Sequence, residues 1–334
     1  MNKKKLILGL RIAISCAVLI YLINALDWQR LSRVFSNLRL EYVWIAPILL
    51  LAGLYSLSVR WSLLLNYFGV RLSSKKSFIY YLVGNFYNII LPGSIGGDVI
   101  RIGICAIAQK KTVTLITSSV FLERVFGLLV VLFLGAIGIF LLSDELQQQL
   151  GATVTTSILV LFSIGLFSFI TIWILLRFIL LKSLESKFEK NKILVTIVNV
   201  FDRIRQIPIT ALLGILGFNL LSQILDIIAS YFLAKSILLD LPAIVFFVII
   251  PIVYISTVLP ISLGGLGVRE GVLTLLLSRF GIISSDAVTF SFILYLNRIF
   301  VALIGGIVQI FWRLPTKKAL IPESDEILEK GRSR

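Results

Sequence analysis

An all-α polytopic membrane protein is the fold class this sequence predicts, and three observations carry that reading. Hydrophobic residues make up 58% of the 334-residue chain and charged residues only 15%, with mean hydropathy +1.01. A soluble globular chain sits near about 45–50% apolar and about 25% charged. Six long apolar runs recur, at Leu6–Asn24, Val43–Leu65, Leu115–Leu142, Thr153–Leu181, Ile209–Leu238 and Ala287–Trp312. Each is long enough to cross a ~30 Å hydrocarbon core at about 1.5 Å per residue. Two further apolar segments are interrupted by Pro and Gly at their centres and resemble each other.

Taken in order, Lys3, Lys4 and Lys5 precede the first run and place the N-terminus in the cytoplasm. The start has the outline of a signal peptide, but Arg11 interrupts the apolar core and no small-x-small site follows. It therefore reads as an uncleaved first helix. Arg71, Lys75 and Lys76 mark a cytoplasmic loop after the second run, and Lys110 and Lys111 another. Asp144 and Glu145 fall in a loop without Lys or Arg, as expected outside. The basic stretch Lys182–Arg205 and the tail with Arg313, Lys317 and Lys318 return to the cytoplasm. Arg30, Arg33 and Arg39 are the exception, falling on the outer side. The net charge of +15 is thus explained by the positive-inside rule rather than by nucleic-acid binding. The pattern predicts an inner-membrane location with both termini cytoplasmic.

The segments Phe78–Ala108 and Ala243–Phe280 begin and end on one side of this scheme. They are broken at Leu91-Pro92-Gly93-Ser94-Ile95-Gly96-Gly97-Asp98 and at Leu259-Pro260-Ile261-Ser262-Leu263-Gly264-Gly265. Each arm is shorter than a comfortable span, so both segments read as re-entrant hairpins, with pairs of full spans as the alternative. Leu91–Gly103 and Leu259–Gly271 share seven of thirteen residues at an offset of 168, and Phe121–Phe126 resembles Tyr295–Phe300 at an offset of 174. The chain therefore divides into a repeat half at about 40–145, a connecting helix and loop at about 146–208, a second half at about 209–313 and a tail at 314–334. An odd number of crossings separates the halves, so they are inverted relative to one another, as in transporters built on broken helices.

Charges inside spans are functional suspects because burying them in lipid is costly. They are Asp98, Arg101, Glu123, Arg124, Asp226, Arg269, Glu270 and Arg298, with Arg60 nearer a cytoplasmic end. The repeat pairs Arg101 with Arg269 and Arg124 with Arg298. The plain reading is that the acids neutralise the arginines and hold the hairpins in place. The sharper one starts from Gly96-Gly97 and Gly264-Gly265, each opening a half-helix whose N-terminus offers N–H groups and a positive dipole end. Arg101 and Arg269 follow about a turn later and would complete a phosphate or carboxylate site. On this reading Arg124 and Arg298 hold the hairpins or the head group. The sequence contains no His, which removes the commonest base and metal ligand. Cys16 and Cys105 match no metal or redox spacing. No GxxxxGK[ST] loop is present either. No catalytic residue, metal or cofactor is expected.

Asn88 with LPGSIGGDVIR, FLERVFG at Phe121–Gly127 and LPISLGGLGVREG resemble the flippase-like family that includes the transmembrane region of lysylphosphatidylglycerol synthases. The resemblance covers Leu6–Trp312 and implies movement of a lipid between leaflets. In the fused synthases that lipid is an aminoacylated phospholipid and the transferase is a separate soluble domain. The sequence ends at Arg334, so synthase activity is not carried over. The expected partner is a membrane lipid with an anionic head group, either a phospholipid or a polyprenyl-phosphate-linked lipid. A membrane enzyme or accessory subunit acting on lipid-linked glycans, and a small-anion transporter, are the competing readings.

Overall fold

A computed structural model describes residues 36–90, 96–178, 207–258 and 267–312, and every regular element among them is α-helical. The helices are α1 (Leu40–Tyr67), α2 (Ser74–Ile90), α3 (Gly96–Gln109), α4 (Val113–Phe140), α5 (Asp144–Leu150), α6 (Ala152–Phe178), α7 (Ile209–Ser236), α8 (Ala243–Val258), α9 (Val268–Ser278) and α10 (Ser284–Phe311). Helix is what an apolar chain in lipid must form, because it satisfies every backbone N–H and C=O within the segment. Four helices of 28 residues, α1, α4, α7 and α10, are long and apolar enough to span, and the bent pair α5–α6 supplies a fifth candidate. Five of the six expected spans therefore have a helix. The first, Leu6–Asn24, lies outside the described residues, as do the basic stretch Lys182–Arg205 and the tail.

One element departs from the sequence reading. The acidic loop at Asp144–Glu145 is the start of α5, a seven-residue helix set at 95° to α6. The Ser143 hydroxyl accepts the Leu146 N–H at its start, Asp144 and Glu145 sit in its first turn, and Gly151 ends it at φ 91°. A hydroxyl cap, acids at the positive dipole end and a left-handed glycine are sufficient local causes.

Both broken segments are helix pairs whose arms pack on each other, α2 on α3 and α8 on α9. The arms have 17, 14, 16 and 11 residues. At about 1.5 Å per residue they are ~17–26 Å long, short of a ~30 Å core. The first pair crosses closely at glycines. A Cβ on Gly97 would stand 1.9 Å from the Gly84 carbonyl oxygen, so only glycine fits there.

The halves are related reciprocally. The α2 arm packs against α10 of the other half, and α8 packs against α4. Both crossings use glycine: a Cβ on Gly305 would lie 1.9 Å from Leu82 O, and one on Gly138 would lie 2.7 Å from Phe247 O. The equivalent helices α1 and α7 pack along each other. Their order is antiparallel: Arg39 N–H donates to Ser236 O, Tyr42 stacks on Phe232, Gly53 meets Ser222, and Ser56 Oγ donates to Phe218 O. Antiparallel packing of repeat-equivalent helices is what inversion of the second half requires. The largest apolar cluster joins α4, α6, α7, α8, α9 and α10 around Phe162, Phe246 and Phe290. A second cluster around Trp61, Tyr81 and Cys105 holds the first hairpin. Large apolar side chains such as Phe140, Phe167, Ile310 and Phe311 point outward, as a lipid-facing surface demands.

Candidate functional site

The polar groups of this apolar protein gather where the hairpins meet the long helices. In the first half, Gly96 and Gly97 open α3, and the Gly97 N–H donates to Asn88 Oδ1 of α2 at 2.8 Å. Asp98 follows in the first turn and Arg101 in the second. Arg101 is only 5% exposed. Its Nε donates to Asp98 Oδ1 at 3.0 Å and its Nη2 lies 2.7 Å from Glu123 Oε2 on α4. The guanidinium carbon sits 4.3 Å from the centre of the Tyr81 ring and 4.7 Å from that of Trp61, within cation–π range. Its Nη1 is buried without an acceptor among the described residues.

Glu123 is the hub. Its Oε1 accepts from Arg60 Nη2 at 2.9 Å and from the Tyr81 hydroxyl at 2.5 Å. Arg60 also donates through Nη1 to Asn219 Oδ1 of α7 at 2.7 Å, and Asn219 Nδ2 donates to Phe126 O. Arg124, on the next position of α4, reaches Asp98 Oδ2 from Nε at 2.7 Å and from Nη2 at 2.5 Å. Its side chain is 41% exposed. One network thus ties α1, α2, α3, α4 and α7 together. Each buried charge has to be compensated in this way, since an isolated one would cost several kcal/mol.

In the second half α9 begins at Val268, after Gly267 at φ 85°. That conformation is not helical, so Arg269 falls in the first turn rather than about a turn in. Glu270 Oε2 accepts the Gly267 N–H at 2.6 Å. Its Oε1 accepts from Ser291 Oγ of α10 at 2.9 Å and from both Nε and Nη2 of Arg269. Arg269 lies 5.0 Å above the centre of the Tyr295 ring. Arg298, half exposed on α10, pairs with Asp226 Oδ2 of α7 at 3.4 Å. Gly264 and Gly265 lie outside the described residues.

The structure brings Asp98, Arg101, Glu123 and Arg124 into one connected group, and Arg269 and Glu270 into another. Arg101 and Arg269, which the sequence assigns to a phosphate, are the buried members; Arg124 and Arg298 are the accessible ones. Sequence reasoning left out Tyr81, Trp61 and Asn219, and set Arg60 aside as peripheral. Asn219 carried a legible signal, an amide within an apolar run, since such groups in a membrane bond to other helices. Tyr81 and Trp61 carried none, because aromatic residues are ordinary in any apolar core. Among the described residues no group of three or more His, Cys, Asp or Glu side chains could hold a metal. The arrangement is suited to holding an anion by guanidinium groups in a dry setting.

A comparison with curated proteins returns no match. Residues 6–306 match the family described as Lysylphosphatidylglycerol synthase TM region. The match spans most of the chain, and four of the described helices are long and apolar enough to cross a membrane; the chain belongs to this family and is a multi-pass membrane protein.

Proposed function

We propose that the protein is a lipid flippase-like transporter that carries an anionic phospholipid or polyprenyl-phosphate-linked lipid between the leaflets of the inner membrane, with both termini cytoplasmic, and that it is not an enzyme. The observation that carries this reading is the connected arginine network held at the hairpin of an inverted repeat. A charged head group cannot cross hydrocarbon unaided, because it loses its hydration there. Arg124 stands half exposed at the rim of the network and Arg101 lies behind it. At the start of α3, where Gly96 and Gly97 open the helix and Asp98 positions both guanidiniums, the two arginines offer a phosphate charge and hydrogen bonds in place of water. The acyl chains stay in the bilayer. Inverted halves that pack reciprocally through α2–α10 and α4–α8 give a route to alternating access by rocking one half against the other.

The test is reconstitution into liposomes containing trace fluorescent phosphatidylglycerol, with fluorescent diacylglycerol as a neutral lipid and labelled phosphate as a soluble anion. The anionic lipid should cross faster with protein than without, and Arg101→Ala should abolish that gain in a chain that still inserts. Equal acceleration of the neutral lipid, or passage of phosphate where lipid does not cross, would sink the reading.

A further inference from the structure

The two halves hold their hairpin arginine in different ionic settings. In the first network each carboxylate serves two guanidiniums: Asp98 is divided between Arg101 and Arg124, and Glu123 between Arg60 and Arg101. Among the described residues of the second half, Glu270 pairs with one guanidinium, that of Arg269, and Asp226 with one, that of Arg298. The repeat places Asn297 opposite Glu123, Ile102 opposite Glu270 and Leu266 opposite Asp98, so the second half lacks the acid at the Glu123 position and sets two guanidiniums on two carboxylates where the first sets three on two.

The helix starts differ in the same sense. The Gly97 N–H of α3 is met by a neutral carboxamide, that of Asn88. At the start of α9 the Gly267 N–H is met by the carboxylate of Glu270, which also gathers Arg269 and the Ser291 hydroxyl and is only 7% exposed. A backbone N–H, a guanidinium and a hydroxyl converging on two anionic oxygens is the donor set that a phosphate would recruit. In the first half the deeply buried Arg101 Nη1 has no acceptor among the described residues.

We propose that Glu270 is a built-in anion that occupies, in the second half, the position a phosphate takes in the first. The protein then holds one anionic head group at a time, on the first hairpin at Arg101 and the start of α3. The second hairpin is its self-neutralised counterpart, and it rejects a second anion by like charge. The halves are symmetric in fold and unequal in chemistry. This inference rests on the transport reading for the identity of the anion, but not for its location.

Dioleoylphosphatidylglycerol bound per full-length chain in neutral detergent, counted by native mass spectrometry, tests it. Inorganic phosphate and dioleoylglycerol serve as parallel probes. The unaltered chain should retain one phosphatidylglycerol. Asn88→Asp, an isosteric change that gives α3 the anionic cap α9 already has, should weaken that binding at least roughly tenfold, the scale of losing one charge-assisted contact. Its unfolding midpoint separates this effect from misfolding. Glu270→Gln should raise the count to two. Two lipids on the unaltered chain, unchanged affinity in Asn88→Asp, or a single lipid on a folded Glu270→Gln chain overturns the proposal. If one of the variants fails to fold, the other decides. If phosphate binds and phosphatidylglycerol does not, the transport reading fails, and the same variants scored with phosphate still test where the anion sits.

Discussion

Glu123 shows how few side chains hold the first hairpin in place. It is 2% exposed and takes two guanidiniums and a phenol onto one carboxylate. Glu123→Gln would leave Arg60 and Arg101 buried with their shared counter-charge gone. Removing one partner of a buried pair costs about 3–5 kcal/mol. The variant should show a clearly lower unfolding midpoint in detergent, and an unchanged midpoint would mean the network does not hold the fold. Gly97 presents the opposite kind of constraint, one of space. Its missing Cβ admits the Gly84 carbonyl, so Gly97→Ala must push α2 and α3 apart. Overpacking of this kind costs about 1–3 kcal/mol. The same change at Gly103, where nothing lies within 4 Å of the added Cβ, should be tolerated, and the two unfolding midpoints compared side by side test the close crossing.

At the scale of elements, the hairpins are defined by arms too short to span and by packing of each arm on its partner. If both arms of α2–α3 return to the side from which they came, Ser73 before α2 and Thr112 after α3 face the same compartment, with Ser143 on the other side. Ser73 and Ser143 are exposed. Single cysteines at these three positions, in a chain freed of Cys16 and Cys105, should label with a membrane-impermeant maleimide accordingly. Labelling of Ser73 and Ser143 from one side would refute the topology. Hydropathy alone overlooked α5 because seven residues with acids at their start do not register as an apolar run. The cap and the terminating glycine were nonetheless legible as Ser143-Asp144-Glu145 and Gly151.

For the whole molecule the decisive relation is the antiparallel packing of α1 on α7. A Cβ on Gly53 would lie 3.8 Å from the Ser222 Cα, which is within the reach of a disulfide. Gly53→Cys with Ser222→Cys should therefore cross-link on mild oxidation. Gly53→Cys with Ser230→Cys, two turns further along α7, should not. A reversed result would overturn the register and with it the inverted relation of the halves. This axis carries polar links between the halves, Arg60 with Asn219 and Ser56 with the Phe218 carbonyl. A rocking motion has to preserve or exchange these bonds.

The sequence by itself determined the membrane class, the positions of five long helices, the two broken segments and the repeat that relates them. These features depend on local hydropathy, on Pro and Gly breaks and on identities at constant spacing, all of which are properties of the chain read in order. It also singled out Asp98, Arg101, Glu123, Arg124, Arg269, Glu270 and Arg298, because a charge within an apolar run stands out without any knowledge of its partner. Only the tertiary structure decided which acid meets which arginine. Glu123 could have faced Arg124 beside it, yet it turns to Arg60 and Arg101, while Arg124 goes to Asp98. Neighbours in sequence on a helix point about 100° apart, and in a low-dielectric interior the charge brought closest by packing sets the pairing.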